Sequence, residues 1–247
     1  MFILLFAVVA GVFTLSHTAP FPFLLDKVGP ARAIWRMPAP PGTRAVYLTY
    51  DDGPNPAWTP QLLDLLQAER VKATFFVIDR HLTDETAPLV RRMFEEGHAV
   101  GLHSHTRKLM FLSPPDFAAT LGAAAARIER MAGSRPCRTF RPHAGWRSRS
   151  IFAGLERIDH ALVGWTFLLW DWNWFRAPTA DAIVPRLLGH VSPGAIVVMH
   201  DGHHENPRAD RAYTVEATRR LIPELRARGY SFGTICDPFE TEAGGKR

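Results

Sequence analysis

A chain of 247 residues that is 47% hydrophobic and 21% charged has ordinary globular usage, which excludes a disordered or fibrous protein. The 29 Lys and Arg outnumber the 24 Asp and Glu to leave a net charge of +5, which suits anionic surroundings such as an acidic cell-wall polymer or a membrane face. The basic residues are scattered without a Lys/Arg block, so no nucleic-acid partner is expected, and two cysteines, Cys137 and Cys236, are too few for a disulfide framework or a cysteine-based zinc site.

Residues 1–25 open with an almost wholly apolar run and carry no charged side chain before Asp26. That length fits a signal peptide or membrane anchor, and predicts export or anchoring at the cell envelope with membrane association through this segment. The first cations follow the run, at Lys27, Arg32, Arg36 and Arg44, and by the positive-inside rule would hold the downstream flank in the cytoplasm. Residues 26–43 end in the Pro-rich run MPAPPGT and are expected to form a stiff extended linker. A single domain over 44–237 follows, with a frayed tail at 238–247.

Within that domain, short apolar runs alternate with helical patterns. Strands are expected at 45–50, 73–78, 99–102, 139–141, 161–166, 195–200 and 230–235. Helices are expected at 60–68, 87–96, 116–132, 148–157, 179–190 and 214–228, several opened by Ser, Thr or Pro and closed by Gly. Seven strands alternating with helices, with no hairpin signal, predict an α/β fold: a parallel barrel or doubly wound sheet.

Ligands of such folds bind at the C-terminal ends of the strands, and those ends are where the polar residues collect. The first strand ends in Asp51 and Asp52, the third in His103-Ser104-His105, and the fourth in Arg141-Pro142-His143. A tryptophan-rich stretch after the fifth carries Asp171 and Asn173, and the sixth ends in His200-Asp201-Gly202-His203-His204. Two adjacent carboxylates repel, so they invite a division of labour, one held charged by Arg141 and one serving a metal. His200, whose ring titrates near neutrality, is placed to donate a proton. General acid–base hydrolysis is the chemistry these residue types fit.

These residues resemble the polysaccharide deacetylase family, the NodB homology domain of chitin and peptidoglycan deacetylases. The likeness is carried by TYDDGP at 49–54, KATFFVI, EEGHAVGLHS, FRPHAG at 140–145 and VVMHDG at 197–202, in family order from about 44 to 237. It implies a distorted (β/α)7 barrel in a single domain and removal of an acetyl group from an acetylated glycan. By position it makes Asp51 the catalytic base tethered by Arg141, His200 the acid, and Asp52 and His103 metal ligands. The Ala144 N–H would serve the oxyanion, with His143, Trp146 and Trp174 lining the substrate. Zinc or cobalt would be the cofactor, holding the water and the acetyl oxygen.

Two positions depart from the family pattern. Where the family places a second metal histidine four residues after the first, this chain has Arg107, which has no lone pair to offer and is expected to pair with Asp52 instead. His105 is a poor substitute, and His143, His203 and His204 are the histidines that could restore the site, with the HDGHH loop favoured as the source. The aspartate that orients the acid histidine aligns best with Asn173, while Asp171 shares its face in an extended segment. Two other readings stay open: a non-catalytic carbohydrate-binding protein on the same barrel, with tryptophans stacking on sugar, and a hydrolase of a small non-sugar amide. Cys137 before the fourth strand and Cys236 after the seventh are placed at opposite ends of the barrel, so no disulfide is expected between them.

Overall fold

The computed structural model describes residues 2–17, 33–169, 171 and 178–236. Its eight strands are β1 (Ala33–Ile34), β2 (Ala45–Asp51), β3 (Thr74–Ile78), β4 (Ala99–His103), β5 (Thr139–Arg141), β6 (Ala161–Val163), β7 (Ala195–His200) and β8 (Ser231–Phe232). The helices are α1 (Phe2–His17), α2 (Thr59–Ala68), α3 (Ala87–Glu95), α4 (Pro114–Ala132), α5 (Arg149–Arg157), α6 (Ala180–His190) and α7 (Ala212–Ala227). The strands follow the path β1-β6-β5-β4-β3-β2-β7, all parallel, with β8 beside the first residues of β2. Isolated bridges from Arg36 to Ala195 and from Phe167 to Val197 draw the two ends of that path together. This is the distorted (β/α) barrel that the family resemblance implies, one of the two folds the alternating pattern allows.

The local sequence accounts for the elements. All five residues of β3 are buried, as expected for a strand covered on both faces. The Ser113 hydroxyl caps α4 by accepting from the Asp116 N–H at 3.3 Å, and Gly133, at φ 82°, closes it in the left-handed conformation that glycine adopts freely. Ser148 and Thr179 cap α5 and α6 in the same way. Strand periodicity then sorts side chains between two layers. Tyr50, Phe75 and Leu102 pack outward against Leu62, Leu221 and their neighbours. Phe76, Val163, Ile196 and Ile235 fill the inside with Met37.

Three expectations fail at the ends of the domain. Part of the stretch expected to be a linker is built into the barrel: Ala33 and Ile34 pair with Leu162 and Val163, and Trp35 and Met37 are buried. The apolar side chains of 33–37 outweigh the proline signal that begins at Pro38. At the other end, the last strand is two residues long instead of six. Gly233 donates to the Val46 carbonyl and Ile235 to Thr74 Oγ1, so the chain passes under the first residues of β2 and β3. It thereby reaches Cys137, whose N–H bonds to Val100, and a Cys137–Cys236 disulfide forms with Cα atoms 5.9 Å apart. The opposite-ends placement is therefore wrong, because the chain crosses the N-terminal mouth where a longer strand would have climbed away from it.

Helix α1 exposes Ile3, Leu4, Leu5, Phe6 and Val8, and among the described residues no helix is long and apolar enough to cross a membrane.

Candidate active site

Asp51 ends β2 with its side chain on the same face as Thr49, because strand side chains repeat every second residue. Arg141, ending β5, is wholly buried and reaches both: Nη1 donates to Asp51 Oδ1 at 2.6 Å and to Thr49 Oγ1 at 2.7 Å. Its Nη2 donates to the Gly164 carbonyl at 2.8 Å, and the guanidinium lies 4.0 Å from the Phe76 ring centre. Burial of this kind is tolerable only for a paired, hydrogen-bonded charge. The second Asp51 oxygen is left out of the arginine contact.

Across the β2–β7 ladder, Asp51 and His200 are direct register partners. His200 Nδ1 lies 2.9 Å from Asp171 Oδ2, and Asp171 is fully buried. Burial, the largest single effect, pulls the imidazole pKa down, but the charge and hydrogen bond of Asp171 together with the charges of Asp52 and Asp51 outweigh it and raise the pKa to about 9. His200 is thus protonated at neutral pH, with Nδ1 as the donor to Asp171. Asp171 fills the orienting place; Asn173 and Trp174 lie outside the described residues, as do Trp170 and Trp172.

Asp52 sits beyond the strand in the left-handed region at φ 68°. Its Oδ1 is buried without a hydrogen-bond donor, yet His103 Nε2 stands 3.2 Å away. His103 Nδ1 is 2.7 Å from the Arg141 carbonyl, an acceptor, so Nδ1 carries the proton. In the neutral ring, Nε2 therefore turns a lone pair toward a carboxylate oxygen, an arrangement a cation between them would satisfy. His143 completes the group: one ligand atom from each of Asp52, His103 and His143 lies within 4.8 Å of the others. Burial first, then the neighbouring His103, lowers the His143 pKa to about 3, which keeps its lone pair available. A tetrahedral ion with bonds near 2.1 Å would need spacings of about 3.4 Å, a modest contraction. The residues fit a divalent metal.

This corrects the expected third ligand. His203 and His204 stack on each other, and His204 packs beside His143 at 4.6 Å between ring centres, outside the Asp52 group. His105 is not a member of that group either. The position of His143 follows from the pairing of β4 with β5, which sets His103 opposite Arg141; sequential strands in such folds are commonly neighbours, so the register was the available signal. The expected Asp52–Arg107 pair is also absent. Arg107 starts a 3-10 turn, is exposed, and lies 5.3 Å from the Trp146 ring centre.

Ala144 is exposed and holds φ 52°, ψ 24°, a left-handed conformation unusual for a residue with a Cβ. The turn is closed by Gly145 N–H to Pro142 and Trp146 N–H to His143, and neither bond uses the Ala144 N–H. A further feature was not read from the sequence: Asp201, buried beside His200, accepts from the Thr59 hydroxyl at 2.5 Å, and a Cβ on Gly53 would meet its carboxylate at 2.5 Å. Burial raises the Asp201 pKa to about 7. The two loops carrying Asp52 and His200 are interlocked through this contact, which only folding brings about.

A carboxylate held by arginine and an imidazolium held by a second carboxylate, facing each other across one ladder, form the arrangement of a general acid–base hydrolase. Residues 39–163 match the family model described as Polysaccharide deacetylase. A chitooligosaccharide deacetylase from Bradyrhizobium sp. (strain ANU 289) is 38% identical over 197 residues, spanning 76% of this chain and 88% of that protein. Among solved structures, a Bc1960 peptidoglycan N-acetylglucosamine deacetylase bound to 4-naphthalen-1-yl-N-oxidanyl-benzamide superposes with a TM-score of 0.72 at 26% identity, covering 87% of this chain and 94% of that one. A family 4 acetyl xylan esterase from Clostridium thermocellum, in complex with a cobalt ion, gives 0.68 at 32% identity, covering 81% and 92%. The chain belongs to the polysaccharide deacetylase family.

Proposed function

We propose that this protein removes the acetyl group from an N-acetylated amino sugar in an oligosaccharide or cell-wall glycan. The observation that carries the reading is the direct pairing of Asp51 with His200 across β2 and β7, each fixed by its own buried partner. Asp51, paired with Arg141, takes a proton from the attacking water. The Ala144 N–H donates to the oxygen of the acyl carbon as charge develops there. His200 delivers its proton to the amine as the carbon–nitrogen bond breaks, and Asp171 stabilises the charged imidazolium beforehand.

Asp52, His103 and His143 would hold zinc or cobalt. When bound, the ion supplies Lewis-acid activation of water and of the acyl oxygen. Trp146, which lines the same shallow groove as His143, would border the substrate. An envelope location, with the domain on its oxidising side, is supported by the disulfide and by the exposed apolar surface of α1. The disulfide argues against the cytoplasmic placement of the domain that the trailing cations suggest.

The test is acetate release from N-acetylated chitooligosaccharides by the full chain supplied with zinc or cobalt, alongside Asp51→Asn. Turnover by the native protein and a loss of 10²-fold or more in the variant are expected. A variant as active as the native chain removes Asp51 as the base, and absence of turnover on every acetylated sugar favours the binding-protein reading.

A further inference from the structure

The acid pair of His200 and Asp171 is assembled from two segments, and only one of them is a strand. His200 ends β7, whereas Asp171 belongs to no strand or helix and follows the isolated bridge of Phe167 to Val197. The first turn of α7 meets both segments. The Thr214 hydroxyl donates to the His200 carbonyl at 2.9 Å, and the Tyr213 hydroxyl donates to the Asp171 carbonyl at 2.9 Å. Arg211, buried and immediately before that helix, donates from Nε to the Gly202 carbonyl at 2.6 Å and from Nη1 to the Tyr213 oxygen. A guanidinium only donates and a carbonyl only accepts, so the phenol oxygen accepts from Arg211 and points its own proton at Asp171. Burial pushes the Tyr213 pKa up to about 12 against the pull of the Arg211 charge, so that proton is present throughout the neutral range.

We propose that Tyr213 is a positioning residue for the acid: its hydroxyl, oriented by Arg211, fixes the main chain at Asp171 so that the carboxylate meets His200 Nδ1. The inference rests on the deacetylase reading for the reaction that His200 serves. A hydrogen bond weakens steeply once donor and acceptor move apart or out of line. Asp171 Oδ2 stands 2.9 Å from Nδ1, so a small drift of the Asp171 backbone would loosen the pair. The other carboxylate oxygen, Oδ1, is buried without a hydrogen-bond partner, so no second bond to the carboxylate backs up the His200 contact and the restraint comes through the backbone. Helix α7 is a firm base for it, since Val215, Leu221, Ile222 and Leu225 are buried in the core. One guanidinium thereby ties the turn after His200, through Gly202, to the segment that carries its partner.

Tyr213→Phe keeps the ring and removes only the hydroxyl. In the full chain supplied with zinc and acting on an N-acetylated chitooligosaccharide, kcat should fall about tenfold, the effect of one hydrogen bond felt in the transition state, while KM stays within about twofold. A second readout needs no turnover. The Nδ1 proton of His200 gives a low-field NMR signal, assigned by its loss in His200→Gln, and in Tyr213→Phe it should move upfield or broaden by exchange with water. A native kcat or an unmoved His200 signal in Tyr213→Phe overturns the positioning role. A rise in KM alone would assign the hydroxyl to substrate binding and overturns it as well. A displaced His200 signal in a protein that hydrolyses none of the acetylated sugars would sink the deacetylase reading while upholding the positioning of His200.

Discussion

His200 shows how one buried neighbour sets the chemistry of a side chain. Burial alone would leave it neutral; the Asp171 carboxylate, together with Asp52 and Asp51, reverses that and raises its pKa to about 9. The acid form is therefore present through neutrality and is lost as pH rises through about 9, so the rate should fall on the alkaline side. With Asp171→Asn the charge is gone and burial prevails, so that limb of the pH profile should move to lower pH by more than one unit, with kcat reduced. A slower variant whose alkaline limb stays in place would show that Asp171 has only a structural part. At the same scale, His143→Ala should bind zinc at least tenfold more weakly than the native chain, whereas His203→Ala should keep native affinity, as read by metal content after dialysis. Retention of zinc by His143→Ala would return the third ligand to the HDGHH loop. Asp51, Arg141 and His200 are legible in sequence because each directly ends a strand. The choice between Asp171 and Asn173, and between His143 and the later histidines, depends on how neighbouring strands align, and a linear pattern does not state that alignment.

The elements themselves were largely legible, since caps and apolar spacing act over a few residues: Ser113 and Gly133 bound α4 as their chemistry requires. Packing between elements is a different matter, and glycines expose the difference. A Cβ on Gly154 in α5 would stand 2.5 Å from Phe117 Cδ1 and 3.1 Å from the Pro114 carbonyl oxygen, at the α4 face. Gly154→Ala should therefore cost about 1–3 kcal/mol through overpacking. Gly122, within α4, has nothing within 4 Å of the same added atom, and Gly122→Ala should stabilise by up to about 1 kcal/mol through helix propensity. Urea unfolding of the two variants checks the pair; a neutral Gly154→Ala would mean that the α4–α5 contact yields to a methyl group. The short β8 belongs here too. Residues 230–235 carry a strand pattern, but Gly233 passes so close to Tyr47 that an added Cβ would lie 2.8 Å from its ring, and the chain turns beneath the barrel.

For the molecule as a whole, the disulfide joins residues 99 apart in sequence and ties the final crossing to the start of β5. Closing a loop of that length restricts the unfolded chain and is worth up to about 5 kcal/mol. Cys236→Ser should lower unfolding free energy by about 2–5 kcal/mol in denaturant titrations, and a reductant should bring the native protein to the same value. A variant as stable as the native protein would mean that the contacts of Ile235 with the inner core already secure the crossing. The same bond links stability to compartment, since it persists where thiols are oxidised. Labelling of free thiols in intact cells distinguishes a bridged, exported domain from a reduced cytoplasmic one.

What the sequence determined by itself is what depends on near neighbours along the chain: the alternation of strands and helices, their caps, and the polar residues at the strand ends that spell out the family motifs. Tertiary structure decided what depends on two distant segments arriving at one place. It set His143 beside His103, turned Arg107 away from Asp52 onto Trp146, chose Asp171 as the partner of His200, wedged Asp201 against Gly53, and brought Cys236 to Cys137. Register, tilt and close packing fix such meetings, because the free energy of a contact depends on separation in space, while a motif records only separation along the chain.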